Sequence, residues 1–157
     1  MRLWAISVPA RSWSFRKGDK MVFTKEYELV TGRDLLTKIT SKVDEAIKES
    51  GIKDGIVVVE TRYSTAGILK ISRHGEEILD DIVREMRRIV PARINYYHQD
   101  SPENAAGHIK SALYGSSVSL ILKDGRLYCE DSQDLYFAEY DGPRNRTYAV
   151  CVMGEKA

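Results

Sequence analysis

Asp124-Gly125 stands between two strand-like runs, Val118-Ser-Leu-Ile-Leu122 and Arg126-Leu-Tyr-Cys129, and this pairing of residues and flanks is the strongest short-range signal for a tight hairpin. The two residues tolerate the left-handed backbone that a two-residue turn demands, so the chain is expected to reverse here into antiparallel strands. Leu135-Tyr-Phe-Ala-Glu-Tyr140 and Arg146-Thr-Tyr-Ala-Val-Cys-Val-Met153 flank a second turn built on Asp141-Gly142-Pro143. The C-terminal third therefore reads as an antiparallel β-meander.

Upstream, strands and helices alternate. Leu3-Trp-Ala-Ile-Ser-Val8 and the span from Met21 to Val30 are rich in β-branched and aromatic residues and read as two early strands. From Ile39 to Gly51, Thr40 or Ser41 offers a helix cap, Val43, Ala46 and Ile47 an apolar face, and Gly51 a stop. Asp54-Gly55 then turns the chain into Ile56-Val-Val-Val59, a run so uniformly apolar that a central strand covered on both faces is expected. Ile68-Leu-Lys-Ile71 forms another strand, and a helix follows from Glu76 to Val90, with Ile78, Ile82, Met86 and Ile89 at helical spacing and Pro91 as its end. A third helix is expected from about Asn104, as N-cap, to Tyr114. Early alternation followed by late strands argues an α+β fold with about three helices, and 157 residues suit a single domain spanning 1–157.

Charge and composition narrow the function classes. The 24 Lys and Arg against 23 Asp and Glu leave a net charge of +1, which provides no broad basic field for nucleic acid or an anionic membrane. The longest apolar runs fall far below the roughly 18 residues that cross a bilayer, so a cytoplasmic protein with no membrane partner is expected. Cys129 and Cys151 lack CxxC or Cys/His ligand spacing and read as ordinary half-buried thiols.

The polar stretch from Asn95 to Leu113 carries two of the three histidines. At about 100° per residue, Ala105, Ile109, Ala112 and Leu113 share one face of the third helix, with His108 at its rim. A first-turn position there would favour the neutral imidazole that ligates metal or accepts a proton, although a partly buried histidine bonded to a backbone carbonyl fits the same spacing. His98 precedes Asp100, a carboxylate able to orient its ring. His74, in Arg73-His-Gly75, reads as a surface residue. Tyr63-Ser-Thr-Ala-Gly67 offers Ser64 and Thr65 hydroxyls for an anion or simply a loop with internal bonds. Arg144 and Arg146 could clamp a phosphate or lie on the surface.

Ser64-Thr-Ala-Gly67, Tyr96-Tyr-His98, Asn104-Ala-Ala-Gly-His-Ile-Lys110, Gly115-Ser-Ser117, Gly125-Arg-Leu127, Gln133, Glu139 and Asp141-Gly-Pro-Arg144 occur together in one order and spacing. In these residues the chain resembles the YjbQ family, also called secondary thiamine-phosphate synthases. The resemblance implies an α+β fold with an antiparallel β-sandwich, a homotrimer, and a histidine-lined pocket for a small phosphorylated molecule, often with a divalent metal such as zinc or magnesium. It implies catalytic roles for His98, His108, Glu139 and Gln133, metal ligation by His98 and His108, and substrate contacts from Tyr63, Ser64, Thr65, Arg73, Asn104 and Arg144. The implied activity joins a pyrimidine diphosphate to a thiazole phosphate; the alternative is a non-catalytic trimer that binds phosphate or a small molecule. Three motif positions depart from the family's pattern: Tyr63 stands where a histidine normally leads, Ser72-Arg73 replaces Asn-Glu, and Cys129-Glu-Asp-Ser-Gln133 replaces Leu-Gly-x-Trp-Gln. With one imidazole lost, metal binding is expected to be weaker or absent, since a neutral phenol is a poor zinc ligand.

Overall fold

The computed structural model describes residues 12–17, 20–33, 35–75, 77–98 and 100–156. In chain order the elements are β1 (Ser12–Lys17), β2 (Lys20–Val30), β3 (Leu36–Lys38), α1 (Thr40–Ser50), β4 (Ile52–Glu60), β5 (Ala66–Ser72), α2 (Glu77–Ile89), α3 (Pro102–Tyr114), β6 (Ser117–Lys123), β7 (Arg126–Leu127), β8 (Gln133–Glu139) and β9 (Asn145–Lys156). Two antiparallel sheets result, one of six strands in the order β1-β2-β9-β4-β6-β7 and one of three in the order β3-β8-β5. The α+β class, the three helices and the antiparallel sheets agree with the sequence reading. The expected strand at Leu3–Val8 lies outside the described residues, while β1 and the short β3 had no clear sequence signal.

The sheets face each other. Phe23, Val57, Val59, Val150 and Val152 of the larger sheet share one buried cluster with Ile68, Leu135 and Phe137 of the smaller, and Val43, Ala46 and Ile47 of α1 close it. Each fully buried side chain of this size contributes about 1.5–3 kcal/mol, so the interface between the sheets is the main source of stability. Met86 of α2 packs with Ala138 of β8 and with Tyr140 in a second, smaller cluster.

Asp124 (φ 53°) and Gly125 (φ 74°) are both left-handed, and Lys123 pairs with Arg126, as the hairpin required. The chain does not continue as a meander in one sheet. After β7 it crosses to the smaller sheet as β8, and the Asp141-Gly142-Pro143 turn returns it to the larger sheet as β9. The turn is thus a corner between sheets, and it brings the ends of both to one place. Sequence pattern identifies strands and turns but not which partner a strand chooses.

Burial also differs from expectation. β4 is interior to its sheet, yet only one face is covered, for Val57 and Val59 are fully buried while Ile56 is 48% exposed. It is β8 that is covered on both sides, with Asp134 to Glu139 all buried. Asp54 and Gly55 lie within β4, beside a register irregularity, and form no turn. In α2 only Met86 of the expected apolar stripe is buried; Ile78 and Ile89 are exposed. In α3 the small residues Ala105, Ala106 and Gly107 face inward with Lys110 and Ser111, whereas Ala112 and Leu113 face outward.

Candidate functional site

The inter-sheet corner and the start of α3 meet at Gly107. A Cβ there would lie 3.2 Å from Thr65 Cγ2 and 3.4 Å from Asp141 Cβ, so glycine lets the helix approach both. Helix α3 begins at Pro102 with Ser101 as N-cap, whose hydroxyl accepts from Asn104 N at 3.1 Å. Asn104 is therefore not the cap. Its side chain is released to bond elsewhere, and His108 sits beyond the first turn, away from the unpaired N–H groups expected to act on it.

The preceding loop is held by Tyr96, whose hydroxyl donates to Pro91 O at 2.8 Å. It presents His98, half exposed, on one wall of an open depression of about 540 Å³ that Arg93, Asn95, Asp100 and Ser101 also line. The His98 and His108 ring centres are 5.5 Å apart with planes at 72°. His98 Nε2 lies 2.8 Å from Asn104 Oδ1 and 3.4 Å from Asp100 Oδ2. Asn104 Nδ2 donates to Asp141 Oδ2 at 2.9 Å, and Arg144 Nη2 donates to the same oxygen at 2.7 Å. A continuous chain runs from His98 through Asn104 and Asp141 to Arg144, whose side chain is 50% exposed.

Behind it lies a second, buried network. Arg146 donates to Glu139 through Nε (2.7 Å) and Nη2 (2.7 Å), and Nη2 also donates to Thr65 Oγ1 at 2.9 Å. The Glu139 side chain is 0% exposed and that of Arg146 6%. Glu139 also accepts from the Thr31 hydroxyl at 2.8 Å and Asp141 N at 2.9 Å. Burial alone pushes the Glu139 carboxyl up, but the Arg146, Asp141 and Thr31 hydrogen bonds and the Arg146 charge together hold it below the usual range. Thr31 further joins Arg144, its hydroxyl accepting from Arg144 N at 3.1 Å and its backbone N–H donating to the Arg144 carbonyl at 2.9 Å, which fixes the corner.

Tyr63 belongs to this inner network. Its ring lies 4.6 Å from the Arg146 guanidinium carbon, and its hydroxyl shares a 3.4 Å hydrogen bond with Thr147 Oγ1. That hydrogen bond, against some opposing burial and with help from Arg62, lowers the phenol's pKa. Within Ser64-Thr-Ala-Gly67, the Thr65 hydroxyl is taken by Arg146, Ala66 O accepts from Ser111, and only Ser64 is exposed. Gly67 leaves room for Tyr140, whose hydroxyl would lie 2.7 Å from a Cβ at that position.

Arg73 and Gln133 are elsewhere. Ser72 pairs with Gln133 at one end of the β5–β8 ladder, whereas Ala66 pairs with Glu139 at the other, roughly 20 Å away along the strands. Arg73 Nε pairs with Asp134 Oδ2 at 2.8 Å, and Gln133 Oε1 accepts from Glu130 N. His74 is exposed. Within one chain, then, the corner unites His98, His108, Asn104, Thr65, Glu139 and Arg144 and leaves Arg73 and Gln133 apart. Asp141, Thr31 and the structural use of Arg146 were not evident from sequence; the only hint was Asp141 inside the Asp-Gly-Pro-Arg motif.

Two imidazoles bound to one tetrahedral ion would place their ring centres roughly 5 Å apart, close to the spacing seen. A catalytic zinc requires a third protein ligand, and no group of three or more His, Cys, Asp or Glu residues suited to a metal occurs among the described residues. The donor set does not by itself fit a resident zinc ion.

A two-sheet α+β protein with a histidine and arginine corner beside the N-terminal half of a helix is the class defined by these features. The profile of the UPF0047 protein YjbQ-like family matches residues 25–155, and the chain belongs to that family. A UPF0047 protein of Methanocaldococcus jannaschii is 37% identical over 138 residues, covering 87% of this chain and 97% of the relative. The UPF0047 protein YugU of Bacillus subtilis is 32% identical over 124 residues, covering 79% and 93% respectively. Among solved structures, a YbjQ-like protein of unknown function from Sulfolobus solfataricus superposes with a TM-score of 0.82 at 27% identity, covering 87% of this chain and 99% of that one. A yjbq/upf0047 family protein from Clostridium acetobutylicum gives 0.75 at 36% identity, covering 80% and 96%. Strand β1 and the first residues of β2 precede the family match. No helix among the described residues is long and apolar enough to cross a membrane.

Proposed function

We propose that the corner binds a small phosphorylated molecule and that the reaction is thiamine-phosphate synthesis. The observation that carries this reading is the convergence of His98, His108 and the half-exposed Arg144 on one rim, tied together by Asn104 and Asp141. Arg144 presents a planar cation suited to phosphate oxygens, and the imidazoles supply hydrogen-bond donors or proton acceptors beside it. In the reaction the thiazole nitrogen attacks the methylene carbon of the pyrimidine diphosphate. A C–N bond forms, the C–O bond breaks, and pyrophosphate leaves with the electron pair. A divalent cation, zinc or magnesium, would have to arrive with the diphosphate; His98 and His108 would offer imidazole ligands to zinc, magnesium would rely on oxygen ligands, and either ion would supply charge neutralisation for the leaving pyrophosphate. Glu139 and Thr65 act indirectly by holding Arg146 and the corner in place.

The second reading, a binding protein without catalysis, is favoured by Tyr63, whose phenol is committed to Thr147 and Arg146 rather than to the histidines. One assay separates the two: purified protein with both precursors and magnesium or zinc should form thiamine phosphate, with His108→Ala reduced to the blank. Absence of turnover in the wild type would leave the binding reading. The protein is read as cytoplasmic and homotrimeric. The larger sheet turns outward a row of register-matched residues, Val22, Met153, Ile56 and Ile121, and this apolar row supports self-association.

A further inference from the structure

The hydrogen-bond pattern behind His98 assigns its tautomer. Asp141 is only 8% exposed, and its carboxylate receives Arg144 Nη2 at 2.7 Å and Asn104 Nδ2 at 2.9 Å, both on Oδ2. A carboxylate paired with arginine accepts and cannot donate, so the Asn104 amide must turn its NH2 toward Asp141. Its carbonyl Oδ1 then faces His98 Nε2 at 2.8 Å. An amide oxygen also only accepts, so Nε2 must carry the hydrogen. The Asp100 carboxylate, 77% exposed and 3.4 Å from the same nitrogen, favours the same form only weakly, so the shorter Asn104 bond decides it.

We propose that Asp141 is a positioning residue which, through Asn104, locks His98 in its Nε2–H form and so presents Nδ1 as the nitrogen that meets the ligand. This rests on the corner being the ligand site, but the tautomer itself is independent of which reaction occurs there. The arrangement is the amide-linked counterpart of a carboxylate behind a working histidine, in which the bond made by one ring nitrogen decides what the other can do. Asn104 is the coupling element, and it is available for that role because Ser101 has taken over the capping of α3. With Nε2 engaged, Nδ1 holds a lone pair that can accept a proton or ligate a cation.

The test is a long-range proton–nitrogen correlation spectrum of the ring nitrogens in the nitrogen-15-labelled full chain, at a pH where the imidazoles are neutral. Wild-type His98 should show a single form, with protonated Nε2 and bare Nδ1. In Asp141→Asn the new side chain can donate as well as accept, the Asn104 amide can flip, and a mixture with Nδ1–H should appear. Asn104→Ala should give a mixture too, and it serves as the second variant if Asp141→Asn fails to fold; unchanged His74 signals report an intact fold. Added pyrophosphate should move the Nδ1 signal more than Nε2. An Nδ1–H form in the wild type, a ring unchanged in both variants, or a response confined to Nε2 would overturn the proposal. A correct tautomer without turnover in the precursor assay would leave this inference standing and remove only the proposed reaction.

Discussion

Glu139→Gln should destabilise the protein by about 3–5 kcal/mol, the usual cost of leaving one member of a buried ion pair without its partner. Both side chains of this pair are almost wholly inaccessible, and Arg146 directs two donors at the carboxylate. Glutamine keeps the shape but removes the charge, so the guanidinium stays buried with neutral acceptors. At about 2–4 °C per kcal/mol for a chain of this size, the melting temperature should fall by roughly 10 °C. Pairing Glu139→Leu with Arg146→Met should recover much of the loss, because an apolar pair of similar volume carries no uncompensated charge. The pH dependence follows from the lowered carboxyl. The folded-state pKa lies below the unfolded value, so this contribution is fully present above the unfolded pKa and disappears as pH falls through the folded one. Glu139→Gln should therefore show a shallower acid-side loss of stability than the wild type in denaturant titrations across pH. Equal stability of Glu139→Gln and wild type at neutral pH would refute the assignment.

Ile121→Glu should separate assembly from folding. Ile121 is 58% exposed and sits opposite Ile56, itself 48% exposed, in a register shared with Met153 and Val22. An exposed position of this kind tolerates substitution within about 0.5 kcal/mol of folding stability. In a trimer that buries the row, the same substitution places an unpaired carboxylate in each apolar contact and should weaken association by at least about 100-fold, on the order of 3 kcal/mol. Sedimentation equilibrium should show a trimeric wild type and a largely monomeric variant with an unchanged melting midpoint at low protein concentration. A monomeric wild type, or a variant that remains trimeric, would exclude this surface as the trimer contact.

The legible part of the fold was local. Asp124-Gly125 specified its hairpin because the left-handed pair is a property of two residues, and Gly51 ended α1 in a left-handed cap for the same reason. What depended on distant partners was not legible. The pattern at 135–140 and 146–153 showed two strands but not that they join different sheets. The apolar run Ile56-Val-Val-Val59 gave no sign that only one face is covered, because Ile56 is apolar without being buried while Val57 and Val59 carry the core. Among the site residues, His98, His108, Asn104 and Arg144 were found through motif order and do converge. Asp141 was harder to see, since its importance lies in partners contributed by separate segments. Thr40 illustrates the same difficulty: its expected cap is replaced by a 2.9 Å hydrogen bond to Asp134, 94 positions away.

The most direct measurement of the central claim is a crystal structure of the protein soaked with pyrophosphate and zinc. Phosphate density within hydrogen-bond distance of Arg144 and of a His98 or His108 ring nitrogen is the expected result, with any zinc between the two imidazoles and completed by phosphate oxygens. Density confined to the Arg73 and Gln133 end of the β5–β8 ladder, or an unaltered corner at saturating pyrophosphate, would contradict it.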